Sequence, residues 1–410
     1  MSSSIVSSSS ELTTGQICLT CTRCSTIYGI SNLLNCPTCG GILQVEYPEG
    51  HSLSCELLSS AFTGSMWEFS SFLPPLLRKN VVTNGEGKTP LKPSRVAPNT
   101  VFFKDESKNP TGSFKDRPAS VCVSMAKEFG CTKIVTASSG NGAAAAACYA
   151  SLAGMDNTIY VPEHTPIAKV AQTLAYGGNI VKVRGNFSKS YELAKLAAQS
   201  PQVMNVTTTF LNPYGIEGDK TIAHEIYEDL GTNPTAVFIP VGAGPIAYGI
   251  FKGFKELCAI HSNLSMPRII AVQAAGCAPI ATALQLGTSV RSEKHPATIA
   301  SAISDPLEGY EQDGELTVLS IRATQGFGIT VTDSEIINAG LELARLEGLF
   351  VEPASAAAFA GYRKAVNDTL VEASGLIVCI LTGHGLKDST AYIDNNKPIP
   401  MTEYFSGKKL

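Results

Sequence analysis

The stretch Asn109-Pro-Thr-Gly-Ser-Phe-Lys115-Asp-Arg117 joins a predicted strand to a predicted helix and decides how the rest of the sequence is interpreted. Its Pro-Thr-Gly turn brings Lys115 to the first turn of the helix, where the helix dipole and partial burial favour the neutral amine. A neutral lysine amine is the nucleophile that forms a Schiff base with an aldehyde cofactor. Most lysines at helix starts are solvated surface charges, so the function of Lys115 depends on the loops that accompany it.

Strands and helices alternate from about residue 80 onward. Short apolar strands that alternate with helices predict parallel sheets covered on both faces, so the predicted fold class is α/β. The predicted strands are 101–104, 133–137, 157–161, 179–183, 236–240, 268–272 and 376–381, and the predicted helices are 115–129, 142–153, 168–176, 334–347 and 354–366.

Three further loops follow predicted strands, where parallel α/β folds bind their ligands. The loop 136–142 carries Ser138, Ser139 and Asn141, which offer hydroxyl and amide groups, although an ordinary helix cap would have the same composition. At the end of the last strand, Thr382 is placed to hydrogen-bond a ring nitrogen. The remaining loop is glycine-rich and would let the backbone approach a phosphate closely; it consists of Gly242, Ala243, Gly244, Pro245 and Ile246.

Two CxxC pairs near the N-terminus predict a zinc-ribbon-like module over residues 16–50. Each pair places two thiolates on one side of a turn, and two facing turns supply the four ligands of a tetrahedral zinc site. Cys18 lies three residues before the first pair and competes with it as a ligand. The predicted ligands of this structural zinc are Cys21, Cys24, Cys36 and Cys39. The Ser/Thr-rich residues 1–15 are predicted to be a disordered tail.

The composition excludes several classes of protein. The chain has 410 residues, of which 44% are hydrophobic and 16% charged, with a net charge of −4, so a disordered polyelectrolyte is excluded. The absence of a basic run argues against a nucleic-acid partner, and no apolar window is long enough to span a membrane. The N-terminus lacks the features of a secretory signal, and unpaired cysteines in apolar surroundings favour the cytoplasm.

Taken together and in this order, the four loops resemble those of the fold type II pyridoxal-phosphate enzymes, the tryptophan synthase β-like superfamily. Within it the sequence is similar to the threonine synthases over about residues 18–390. Besides the four loops and the N-terminal cysteines, the resemblance rests on Gly-Glu-Gly-Lys-Thr-Pro-Leu at 85–91, Asn-Pro at 212–213, Glu-Gly at 217–218, Gln-Ala-Ala-Gly at 273–276, Val-Glu-Pro-Ala-Ser-Ala at 351–356 and Thr-Gly-His-Gly at 382–385.

The resemblance implies a role for each loop. Lys115 would be the catalytic residue and would hold pyridoxal 5′-phosphate as a Schiff base, Asn141 would contact the cofactor's 3′-oxygen, and Thr382 would face its pyridine nitrogen. Residues 242–246 would cradle the cofactor phosphate. The implied reaction is loss of phosphate from O-phospho-L-homoserine and addition of water at Cβ, which gives L-threonine. Donors to the leaving group would include Thr111, Ser138, Ser139 or Lys108.

The resemblance also implies an architecture of two parallel-sheet lobes with the cofactor between them, within a catalytic region at 60–400. The smaller lobe would span about 115–225, and the larger would combine about 60–114 with 226–400. Members of the family are commonly homodimers, which makes a homodimer the expected assembly.

Three departures from the family pattern concern the substrate. Gly215 stands where threonine synthases often have an arginine expected to help hold the substrate phosphate, so that Lys220 or another cation would have to replace it. The loop 242–246 lacks two asparagines of the usual Gly-Asn-x-Gly-Asn, and Arg-Pro at 117–118 replaces the common Arg-Gly. These changes leave open a related β-replacement or β-elimination enzyme, either cysteate-synthase-like on O-phosphoserine or a serine/threonine ammonia-lyase. A catalytically silent binding protein is a third reading, which the presence of Lys115 opposes.

Overall fold

The computed structural model describes residues 16–48, 62–97, 99–185, 187–372 and 374–393. The predicted tail at 1–15 lies outside the described residues, as do residues 49–50 of the zinc-ribbon-like module and residues 60–61 and 394–400 of the predicted catalytic region. No helix in the described part of the chain is both long and apolar enough to cross a membrane.

Thirteen strands in the described residues form three sheets. A three-stranded antiparallel sheet has the order β2-β1-β3, a six-stranded sheet the order β12-β11-β10-β13-β5-β4, and a four-stranded sheet the order β8-β7-β6-β9. The strands are β1 Cys18–Cys21, β2 Ile27–Gly29, β3 Leu43–Glu46, β4 Leu91–Pro93, β5 Val101–Asp105, β6 Lys133–Ala137, β7 Asp156–Pro162, β8 Ile180–Val183, β9 Val203–Asn205, β10 Ala236–Pro240, β11 Arg268–Ala274, β12 Phe327–Val331 and β13 Ile377–Leu381.

Ten α-helices in the described residues cover the two larger sheets. Five of them contain no part of a predicted helix, namely α4 to α8, so the helical content was underestimated from the sequence. The helices are α1 Asp116–Glu128, α2 Asn141–Ala153, α3 Ile167–Ala175, α4 Phe187–Ala197, α5 Gly215–Leu230, α6 Pro245–Ile260, α7 Pro279–Leu286, α8 Glu311–Ala323, α9 Asp333–Glu342 and α10 Pro353–Asn367.

The α/β class is confirmed, but the six-stranded sheet is mixed, whereas parallel sheets were predicted. Strand β4 pairs antiparallel with β5, while the other four strand pairs of this sheet are parallel. Only residues 94–100 connect β4 to β5, and a connection this short permits a hairpin but not a parallel crossover. The antiparallel strand, β4, lies at the edge of the sheet.

The central strands are buried on both faces. All five residues of β10 and all five of β13 are buried, which is the pattern of a parallel strand covered by helices on either side. Helix α2 is buried almost all round as well, because its run of alanines at 143–147 lets it pack closely against its neighbours. These elements place the starts of α1, α2 and α6 around a common cavity.

A buried ion network fixes the start of α1. Arg117 donates from Nε and Nη2 to the Glu106 carboxylate, each at 2.7 Å, and from Nη1 and Nη2 to the Glu225 carboxylate at 2.6 and 2.7 Å. Lys104 on β5 lies 2.7 Å from Glu225 as well. All four side chains are buried, so their charges interact with each other and are shielded from water. The network joins β5, α1 and α5 two residues away from Lys115.

We expect Arg117→Met to lower the free energy of unfolding by about 3–5 kcal/mol, because it leaves the Glu106 carboxylate buried without a cation and Glu225 with Lys104 alone. Chemical denaturation of the two proteins measures the difference. As a control, Arg363→Met removes the half-exposed ion pair with Glu342 and should cost no more than about 1 kcal/mol. Equal losses in the two variants would contradict a structural role for the buried network.

Candidate active site

A cavity of about 770 Å³ lies at the carboxyl ends of the parallel strands. It collects the loop before α1, the loop between β6 and α2, the loop between β10 and α6, and the loop that follows β13. The structure therefore brings together the residues predicted to bind the cofactor and three of the four named donors to the leaving group, whereas the fourth, Lys108, does not line the cavity. These cavity-lining residues are Thr111, Lys115, Ser138, Ser139, Asn141, Gly242, Ala243, Gly244, Pro245, Ile246 and Thr382.

Lys115 projects its amine into this cavity. Its Nζ lies 3.5 Å from the carbonyl oxygen of Thr208 and 4.5 Å from the centre of the Phe114 ring. It forms no ion pair with a carboxylate among the described residues. Burial lowers the pKa of the Lys115 amine, and the charges of the surrounding carboxylates oppose that shift only in part. The environment thus favours the neutral, nucleophilic amine predicted from the sequence.

Backbone hydrogen bonds hold the Lys115 loop against the loop after β13. The Phe114 N–H donates to the Thr382 carbonyl at 3.0 Å, and the His384 N–H donates to the Gly112 carbonyl at 2.9 Å. The two loops also form an isolated bridge between Ser113 and Gly383. These bonds fix the position of Thr382 relative to Lys115 although 267 residues separate them in sequence (382 − 115).

Asn141 contacts a carboxylate that the sequence analysis did not assign to the site. Its Nδ2 donates to both oxygens of Glu352, at 2.9 and 3.1 Å. The Glu352 side chain lines the cavity, and burial raises the pKa of its carboxyl to about 7. A Cβ on Gly383 would come within 2.5 Å of this carboxylate, which explains why a glycine follows Thr382. The motif Val-Glu-Pro-Ala-Ser-Ala at 351–356 was the signal that could have identified Glu352.

The glycine-rich loop requires glycine for steric reasons. Gly244 has a φ of +101°, and a Cβ there would lie 2.2 Å from Oγ1 of Thr317. That hydroxyl donates to the Ala243 carbonyl at 2.9 Å and so holds the loop at the start of α6. The first turn of a helix presents unpaired amide groups, which suits the binding of a phosphate. The cradle predicted at 242–246 therefore has a suitable geometry in the structure.

Asp305 is a second acidic residue that the sequence analysis missed. It lines the cavity beside Gly242, and it accepts a hydrogen bond of 2.6 Å from the Tyr310 hydroxyl. Burial raises the pKa of the Asp305 carboxyl. The residues around Asp305 form no recognised motif, so only the folded structure shows that Asp305 lines the cavity.

The departure at Gly215 and the cation suggested to compensate for it, Lys220, both lie away from the cavity. A Cβ on Gly215 would meet Pro118 at 3.4 Å and Cys122 at 3.5 Å, so this position packs α5 against α1. Lys220 is fully buried and pairs with Glu217 at 2.6 Å. The interpretation of Lys220 as a substitute for the missing arginine is therefore wrong, because its charge is already neutralised inside the protein.

The four predicted zinc ligands form one cluster. Their sulfur atoms all lie within 4.8 Å of one another, and three of the distances are 3.4, 3.5 and 3.6 Å. Four sulfurs bonded to zinc at about 2.3 Å would lie about 3.8 Å apart, which is close to this spacing. The sulfur of Cys18 lies instead 3.7 Å from the Thr20 hydroxyl, outside the cluster. The cluster comprises Cys21, Cys24, Cys36 and Cys39.

Comparison with solved structures identifies the fold. A maize serine racemase matches with a TM-score of 0.62 and 25% identity, over 73% of this chain and 88% of the racemase. A threonine deaminase, isoform 2 from Solanum lycopersicum in its processed form, matches with a TM-score of 0.61 and 24% identity, over 75% of this chain and 85% of the deaminase. The cavity thus lies in a fold that serves amino-acid chemistry in those proteins.

Sequence comparison is more specific. Residues 82–383 match the family model described as pyridoxal-phosphate dependent enzyme. A threonine synthase of Methanosarcina acetivorans is 36% identical over 92% of this chain and 93% of its own length. A threonine synthase of Methanocaldococcus jannaschii is 34% identical over 91% and 93%, and one of Mycobacterium tuberculosis is 39% identical over 80% and 91%. The chain therefore belongs to the pyridoxal-phosphate-dependent enzyme family, and within it to the threonine synthases.

Proposed function

We propose that the chain converts O-phospho-L-homoserine and water into L-threonine and phosphate. The observation that carries the proposal is the cavity in which the amine of Lys115, the amide of Asn141, the hydroxyl of Thr382 and a phosphate-sized glycine cradle converge. The similarity to threonine synthases over about nine tenths of the chain supports the choice of substrate.

The residues around the cavity suit pyridoxal 5′-phosphate. Lys115 offers an amine that forms no ion pair among the described residues, and the start of α6 offers a cradle whose backbone path requires glycine at 244, because a Cβ there would collide with Thr317. Asn141 would reach the 3′-oxygen and Thr382 the pyridine nitrogen. When bound, the cofactor supplies an electron sink that acidifies the protons at Cα and Cβ of an amino acid.

Lys115 would move the protons of the reaction. Its amine, whose pKa burial lowers, would take the proton from Cα of the substrate and then a proton from Cβ. Phosphate would leave from Cγ with the electrons of the C–O bond, and a proton would be delivered to Cγ. The hydroxyl of water would then add at Cβ, a proton would return to Cα, and the proton left over from water would remain with the released phosphate. Glu352 is a proton-holding neighbour of this site, because its pKa of about 7 lets it bind or release a proton near neutral pH. Phe114 packs against the lysine and limits access of water to it.

A related β-replacement or β-elimination on O-phosphoserine, serine or threonine is the second candidate. The observation that favours it is Gly215, because position 215 packs against Pro118 and contributes no donor to the cavity. If this enzyme binds a phosphorylated substrate, its phosphate must be held by other residues.

We also propose that Cys21, Cys24, Cys36 and Cys39 bind one structural zinc ion. The spacing of their sulfurs supports tetrahedral coordination, and a bound ion would hold together the two turns that carry the thiols. The module packs on the catalytic region through Leu19, Leu43 and Val45, which share one buried apolar cluster with Trp67, and through polar contacts such as the Tyr47 hydroxyl, which donates to Glu217 at 2.7 Å. The homodimer and the cytoplasmic location stay predictions, supported by the resemblance and by the cysteine content.

We expect the purified protein loaded with pyridoxal 5′-phosphate to release threonine and phosphate in equal amounts from O-phospho-L-homoserine. The substrates to compare are O-phosphoserine with sulfite, serine and threonine, with amino-acid analysis and phosphate release as the measurements. Silence with O-phospho-L-homoserine, together with a keto acid or a sulfonated product from the others, would overturn threonine synthesis and leave the second candidate.

We expect Lys115→Ala to abolish the visible absorbance of the lysine-bound cofactor and to reduce turnover by at least about 10²–10⁴-fold, because the variant has no amine to bind the aldehyde or to move the proton. The matched control is Lys108→Ala, a lysine seven residues earlier that does not line the cavity and is 48% exposed. The control should keep both properties. Retention of both properties by Lys115→Ala would disprove the assignment.

We expect mass spectrometry of the native protein to find one zinc per chain, and Cys36→Ser to lose it. Loss of the metal should also lower the melting temperature, because metal binding stabilises such modules. Cys18→Ser serves as the control and should keep the zinc, since its sulfur lies outside the cluster. Loss of zinc in the control alone would mean that Cys18 is a ligand.

A further inference from the structure

Lys387 lies in the cavity wall next to the Lys115 loop. A Cβ on Gly112 would lie 3.5 Å from Cδ of Lys387, so the stem of this lysine packs directly on the turn that carries Lys115. Lys387 lines the same cavity, and its position follows from a short helical turn at Gly385–Lys387. Lys387 lies two residues beyond the motif Thr-Gly-His-Gly at 382–385, and no role was predicted for it from the sequence.

The ammonium of Lys387 uses two neutral acceptors. It donates to the Thr111 carbonyl at 2.8 Å and to Oε1 of Gln172 at 2.6 Å. An ammonium group has three donors, so one remains for a ligand. Among the described residues Lys387 forms no ion pair, and burial lowers the pKa of its amine against the opposing charges of Glu352 and Asp116. A partly buried cation without a paired carboxylate is a ready site for an anion.

Lys169 adds a second positive charge to the same wall. It lines the cavity with 31% of its side chain exposed, and its amine lies 3.6 Å from Asp388. Lys169 precedes Gln172, the partner of Lys387, by one turn on α3, and its ion-pair partner Asp388 follows Lys387 in the chain, so the two lysines lie on the same wall. Two cations suit a dianionic phosphate better than a carboxylate, which carries one charge.

The other cations considered from the sequence are unsuitable. Lys220 is fully buried in its ion pairs with Glu217 and Glu256, and Lys108 does not line the cavity. None of the described cavity-lining residues is an arginine. Apart from Lys115, Lys387 and Lys169 are therefore the cavity cations that remain for the leaving group, and Lys169 would exchange its 3.6 Å ion pair with Asp388 for the phosphate.

We propose that Lys387, assisted by Lys169, binds the phosphate that the substrate loses. The proposal rests on the proposed function and names the residues that do the work expected of the missing arginine. A charge-assisted hydrogen bond to a phosphate oxygen would hold the leaving group beside Lys115 and stabilise the charge that develops as the C–O bond breaks.

The test is Lys387→Gln in the cofactor-loaded enzyme. We expect KM for O-phospho-L-homoserine and the dissociation constant of inorganic phosphate, measured by titration calorimetry, to rise by about 10- to 100-fold. Binding of L-threonine, followed by the visible absorbance, should change by less than about threefold, because threonine has no phosphate. Lys108→Gln is the matched control and should leave all three constants unchanged.

Gln172→Glu tests the same site without removing the lysine. The new carboxylate would pair with Lys387 at nearly the same position, neutralise it and repel an anion, so phosphate affinity should fall by a similar factor. Lys387→Arg should retain phosphate affinity to within about tenfold, which separates loss of charge from loss of folding. Melting temperatures of all variants accompany these measurements.

The outcomes separate this proposal from the proposed function. Unchanged phosphate binding in both Lys387→Gln and Gln172→Glu overturns the proposal, as does an equal loss of phosphate and threonine binding, which would mean a carboxylate site or a structural role. If the wild-type enzyme makes no threonine yet binds phosphate through Lys387, the proposed function fails while the anion site stands. If the enzyme makes threonine and Lys387→Gln does not change this activity, the proposed function stands and the role of Lys387 fails.

Discussion

The paired hydrogen bonds of Arg117 with Glu106 and Glu225 are the constraint on which the site depends. They tie β5, α1 and α5 together inside the protein, two residues after Lys115. Because the charges are buried, their geometry tolerates little displacement, and the start of α1 cannot move without leaving a charge unpaired. Lys115 is thus held in place by the ion network of its neighbour Arg117 and forms no ion pair of its own among the described residues.

Unlike the buried network, the cavity contains charged side chains, those of Lys115 and Lys387, that form no ion pair among the described residues. Its amines at Lys115 and Lys387 have lowered pKa values because they are enclosed without paired carboxylates, and its carboxyl at Glu352 has a pKa raised to about 7. A carboxyl with a pKa of about 7, such as that of Glu352, can bind or release a proton near neutral pH. The buried network provides rigidity, and the unpaired groups of the cavity provide chemistry.

The substitutions at 118 and 215 are coupled in space. Pro118 on α1 faces Gly215 on α5, so the larger residue at one position meets the smaller at the other. A Cβ on Gly218 would lie 2.4 Å from the Arg117 carbonyl, which shows how closely these two helices approach. The close packing explains why Gly215 is accommodated between the two helices.

The sequence by itself determined the α/β class, the four ligand loops and the cysteine cluster, because each is encoded by local spacing: apolar strands before helices, glycines at sharp turns and thiols three residues apart. It did not determine the antiparallel edge strand, the helices α4 to α8, or the roles of Glu352, Asp305 and Lys387. Those depend on which distant segments return to one cavity, and on whether a charge such as that of Lys220 meets a carboxylate or remains available. Only tertiary packing decides either question.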